Sequence, residues 1–130
     1  MSQKKSIFQR FFKECETRDD HFDDDLKSHY YRTSFDKVFQ AVEEVFAKSP
    51  EMEIVSKSKE RGEMAIRMKK SPKAFIVATV IQVRPFETAC DFKVSSDKFS
   101  LIGLYPTLKR LVLQFYAELD KKLPLSGKKK

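Results

Sequence analysis

The chain has 130 residues, the size of a single domain, and its 41% apolar content, with 12 Phe and no Trp, suits one packed core and is too rich for a disordered chain. No apolar run reaches the roughly 18 residues that cross a bilayer, and the polar start Ser2-Gln3-Lys4-Lys5 leads into no signal-peptide stretch, so a cytoplasmic protein is expected. Lys and Arg number 26 against 19 Asp and Glu, a net charge of +7 that makes polyanions a partner class to weigh.

Residues 1–28 read as an N-terminal extension. Ile7, Phe8, Phe11, Phe12 and Cys15 fall on one face of a helix, with Gln9, Arg10, Lys13 and Glu14 opposite, which predicts a short amphipathic helix. Asp19, Asp20, Asp23, Asp24 and Asp25 follow; their mutual repulsion and low helix propensity predict an extended linker.

A domain is expected over residues 29–125. His29-Tyr30-Tyr31-Arg32-Thr33 suits a short first strand. A helix then begins at Thr33 or Ser34, either of which can cap its free N–H groups, and stops before Pro50. Phe35, Val38, Phe39, Val42, Val45 and Phe46 form its buried stripe.

From Glu51 the period changes to two. Residues 53–58 and 63–69 predict paired strands joined at Gly62, which can take the positive φ of a tight turn, with Met64, Ile66 and Met68 on one face. Residues 75–84 form a β-branched run that is apolar on both faces, expected as a central strand covered on each side at one end. Pro85-Phe86 ends it. In residues 87–95, Thr88, Cys90, Phe92 and Val94 point inward and Glu87, Ala89, Asp91 and Lys93 outward.

After a loop over 96–104, Pro106 opens a long helix whose stripe is Leu108, Leu111, Val112, Phe115, Tyr116, Leu119 and Leu123. Residues 126–130 read as a flexible basic tail. The order β-α-β-β-β-β-α predicts an α+β domain: an antiparallel sheet of about five strands with two helices on one face, a helix-grip-like arrangement. The helix over 34–48, then Met52-Glu53-Ile54-Val55, then Arg61-Gly62-Glu63 opening a strand, resembles a family of small bacterial domains, domain of unknown function 1499, over roughly residues 31–123. The resemblance implies no particular activity.

Catalytic motifs are not legible. His21 and His29 lack the spacing that sets two ligands on one helical face and read as solvated; Cys15 and Cys90 read as ordinary free thiols. The aspartate cluster lacks the turn glycine and closing glutamate of a calcium loop, and nothing matches a phosphate-binding loop. No enzyme activity, cofactor or metal is expected.

Two surfaces remain. Ile7, Phe8, Phe11 and Phe12 beside Lys4, Lys5, Arg10 and Lys13 suit docking on an exposed part of the domain itself or on a protein partner, both preferred over an anionic membrane surface. Lys57, Lys59, Arg61, Arg67, Lys69, Lys70 and Lys73 against only Glu60 and Glu63 suit a nucleic-acid phosphate backbone, although interleaved aromatics for base stacking are missing. The main expectation is a non-enzymatic binding or adaptor domain acting through its sheet face and the N-terminal aromatic helix. Nucleic-acid binding through the basic hairpin is the alternative, and self-association is a further partner class.

Overall fold

The computed structural model describes residues 14–17, 26–70, 74–96 and 105–128. Within them the chain forms β1 (Glu14–Glu16), β2 (His29–Tyr31), α1 (Phe35–Ala47), β3 (Met52–Ser58), β4 (Glu63–Met68), β5 (Ala74–Arg84), β6 (Glu87–Ser96), α2 (Tyr105–Lys122) and β7 (Leu125–Lys128). This is the α+β class expected from periodicity.

All strand pairs are antiparallel, in the order β3-β4-β5-β6-β2-β7, and β1 also pairs with β6. Strand alternation places Met64, Ile66 and Met68 of β4, Ile76, Ala78 and Val80 of β5, and Cys90, Phe92 and Val94 of β6 on one face, all buried. Onto that face α1 delivers Val38, Val42 and Phe46, and α2 delivers Leu108, Val112, Phe115, Tyr116 and Leu119. Ser34 caps α1 by accepting the Lys37 N–H at 3.3 Å. At the centre, Phe46 meets Phe115 edge-on at 4.9 Å and Tyr116 meets Phe92 likewise at 5.0 Å. Burial of Phe46 and Phe92 contributes about 1.5–3 kcal/mol each.

Several expectations are corrected. Glu14 and Cys15, assigned to the end of an amphipathic helix, lie in β1, where Glu14 pairs with Ser95 and Glu16 with Lys93. The open ladder edge of β6 supplies hydrogen-bond partners that a short isolated helix cannot match. The rest of that predicted helix, including Ile7, Phe8, Phe11 and Phe12, lies outside the described residues, as do His21 and the aspartate cluster. Nor does the fold begin at His29: Thr17 and Leu26, placed in the extension, are buried, and Leu26 belongs to the core.

The tail expected to be flexible from residue 126 instead supplies β7, which pairs Gly127 with Tyr30 and Lys128 with His29 on the free edge of β2. The Arg32 N–H, donated to Pro124 O at 2.8 Å, fixes where the chain turns into it. On β5 the outward residues are less covered than expected: Phe75 is 42% exposed, Ile81 51% and Val83 46%.

Candidate functional site

Polar or exposed apolar side chains gather in four regions: the basic hairpin, a polar seam under α2, a cleft between the helices, and the tip of the β5–β6 hairpin.

The basic residues of β3–β4 do not form one surface. Cross-strand register sets Lys57 opposite the inward Met64, on the helix side of the sheet, and sets Arg67 opposite Glu53 on the outer side. Five of the six described basic residues lie beside an acid; Lys69 is the exception. Lys57 Nζ lies 2.5 Å from Glu43 and Lys59 lies 3.2 Å from Asp36, both carboxylates coming from α1. Arg67 lies 2.6 Å from Glu53, Arg61 4.0 Å from Glu63 and Lys70 3.9 Å from Glu51. The hydrogen bond and charge of Arg67, helped by Lys69, hold the Glu53 carboxyl below its usual range. Lys73 lies outside the described residues. Exposed pairs of this kind add little stability, but they weaken the positive field that phosphate binding draws on.

The polar seam was missed from sequence. β1 and β2 use successive stretches of the same edge of β6, and Thr17 fills the gap between them: its N–H donates to Phe92 O and its Oγ1 accepts the Phe92 N–H, each at 2.9 Å. Asp91 Oδ1 accepts the Thr17 hydroxyl at 2.7 Å and the Ser28 hydroxyl at 2.5 Å. His29, read as solvated, is buried and stacks on Tyr116 with ring centres 3.6 Å apart and planes at 4°. Its Nδ1 lies 3.1 Å from Asp120, which also accepts the Tyr31 hydroxyl at 2.8 Å.

Chemically the seam is a staple. Burial, followed by the nearby charges of Asp91 and Asp120, pushes the Cys90 thiol up, so it holds its proton rather than serving as a thiolate nucleophile. Burial likewise raises Tyr116, which donates its hydroxyl to Cys90 O at 2.6 Å, and Tyr31. The imidazole of His29, covered on one face by Tyr116 and tied to Asp120, positions β2 against α2. Among the described residues no group of three His, Cys, Asp or Glu is placed to hold a metal ion.

A cleft of about 450 Å³ opens between the end of α1, the start of β3 and α2. Phe46, Met52, Met68, Leu111 and Phe115 line its apolar part; Lys48, Ser49, Glu51, Gln114 and Glu118 supply its polar groups. Its signal in the sequence was the pair Met52 and Met68, directly opposed across β3 and β4.

The β5–β6 turn is the most unusual local feature. Arg84 pairs with Glu87, so Pro85 and Phe86 alone make the connection, and the Arg84 Nε–Glu87 Oε1 contact at 2.9 Å closes it. Pro85 suits the first turn position, but the second requires positive φ, and Phe86 occupies it at φ 58°. Phe86 is 73% exposed, and Ile81 and Val83 extend the apolar surface down β5. In the sequence this tip read only as the end of a strand; the signal available was a bulky residue where glycine or asparagine belongs after proline.

No protein-family model, curated protein or solved structure matches the chain. Among the described residues no helix is long and apolar enough to cross a membrane.

Proposed function

We propose that the domain is a non-enzymatic protein-binding module whose contact element is the β5–β6 hairpin tip, with Phe86 as the anchor entering an apolar socket on an acidic partner. The observation that carries this reading is the cost of Phe86 to the fold itself. A left-handed backbone at a residue with a Cβ costs about 1–2 kcal/mol, and an exposed ring returns little of it through packing. A local choice that opposes the fold points to a purpose outside it.

Supporting features agree in chemistry. Among the described residues, Ile81 and Val83 near the end of β5 and Phe86 in the turn that follows are all exposed, and an aromatic at the end of a two-residue turn loses little entropy on docking. The net charge of +7 favours an acidic protein and opposes a second copy of the same chain. The phosphate-backbone reading loses ground because its cations sit beside carboxylates on both sides of the sheet. Catalysis loses ground because His29 and Cys90 are absorbed into buried structural contacts.

The test places a photoreactive benzoylphenylalanine at position 86 or, as a control, at the exposed Leu113 of α2, in cells that make the protein. A discrete adduct with an acidic protein from position 86 and none from 113 is expected. The same adducts from both positions, or none from 86, would overturn the reading.

A further inference from the structure

We infer that the N-terminal segment Ile7–Phe12 packs on the outer face of the sheet, over Phe75 and Val77 of β5. The two helices fill the opposite face with their apolar stripes. On the outer face, strand alternation sets Phe75, Val77, Thr79 and Ile81 in a line along β5, an interior strand of the sheet. Among the described residues this line stays open: Phe75 and Ile81 are exposed, and Val77 is half-buried.

Cross-strand register decides which end of the line the segment meets. Arg67 pairs with Phe75, Phe75 with Ser95, and Ser95 with Glu14, so one row crosses β4, β5, β6 and β1. Because β1 runs antiparallel to β6, the chain that enters it at Glu14 arrives at the Phe75 end of β5 and not at the Phe86 end. Two strand spacings, about 10 Å, separate Glu14 from Phe75, and three residues of extended chain span roughly the same distance. Phe12 and Phe11 stand two and three residues before Glu14, and Phe8 and Ile7 have chain enough to reach Val77.

The tether selects the occupant. Joined to β1 by so few residues, the segment meets this face at an effective concentration on the order of millimolar, which a separate molecule at micromolar concentration cannot match. The net charge of +7 further opposes a second copy of the chain. Ile7, Phe8, Phe11 and Phe12 bring four large apolar side chains to an apolar surface, so the contact removes both from water. It lies at the other end of β5 from Phe86 and stands whether or not the hairpin tip binds a protein.

The test replaces Phe75 with benzoylphenylalanine in the purified full chain, which is irradiated at two concentrations about tenfold apart, with and without phosphatidylserine vesicles, and the adducts are mapped by mass spectrometry. An intrachain adduct within residues 7–12 is expected, at a yield that neither dilution nor vesicles change. The same group at Leu113, exposed on α2, is expected to give no such adduct. A second measurement leaves Phe75 in place: Phe11→Ser, Phe12→Ser in the full chain is expected to move the amide chemical shifts of Phe75 and Val77 and to leave those of Gln82 and Val83 unchanged. An adduct between two chains, with lipid or elsewhere in the chain, no adduct at all, or unmoved amides at Phe75 and Val77 would overturn the inference.

Discussion

Gly62 lies directly against Val80: its carbonyl accepts the Val80 N–H at 2.7 Å, and a Cβ at Gly62 would stand 2.2 Å from the Val80 carbonyl oxygen. With φ at +72°, the residue that closes the β3–β4 hairpin also brings it onto the backbone of β5. Gly62→Ala therefore combines left-handed strain with a clash against backbone that cannot move alone. A loss of about 2–4 kcal/mol is expected, read from urea midpoints.

Phe86 is the other described residue at positive φ, and there the prediction reverses. Phe86→Gly relieves the left-handed strain and removes a side chain that packs on little, at some entropic cost from glycine in the unfolded chain. A gain of about 0.5–1 kcal/mol is expected in the same urea experiment. A loss would mean that the ring supports the fold.

Asp91 holds β1 and the entry to β2 through the hydroxyls of Thr17 and Ser28. Asp91→Ala strands both donors, for an expected loss of about 2–4 kcal/mol. Hydrogen exchange at Glu16 and Thr17 is expected to accelerate more than exchange in β4, because the change frees β1 before it disturbs the core.

Tyr31, Tyr116 and Cys90 set the alkaline limit. Burial raises all three above their ordinary values, 10.0 for the tyrosines and 9.0 for the thiol. The unfolded chain then releases protons that the folded chain keeps, so the stabilisation is complete below pH 9 and declines as pH rises beyond it. Each group adds up to about 1.4 kcal/mol per pH unit to that decline. Urea midpoints from pH 8 to 11 are expected to fall, and Tyr31→Phe to make the fall shallower.

What was legible in the sequence was whatever one element determines by itself. The stripe of α1, the inward set Met64, Ile66 and Met68, and the alternation of Thr88, Cys90, Phe92 and Val94 all follow from local period, and the structure buries them apart from Phe35 and Val45 of α1, which are half-buried against the core. β1 and β7 escaped because short strands are held by edges that β6 and β2 provide from elsewhere in the chain. His29 escaped for the same reason: its partners Tyr116 and Asp120 lie on the last helix. The basic hairpin looked unopposed because its counter-charges Asp36 and Glu43 sit on α1, which the linear sequence places outside the run.

If Phe86 serves a partner and not the fold, as proposed, replacing it with asparagine separates the two roles. Asparagine tolerates the left-handed turn and removes the aromatic anchor. The acidic protein crosslinked from position 86 is expected to be retained by the native chain and lost by Phe86→Asn at unchanged or higher fold stability. Equal retention by both chains would show that Phe86 is not the anchor.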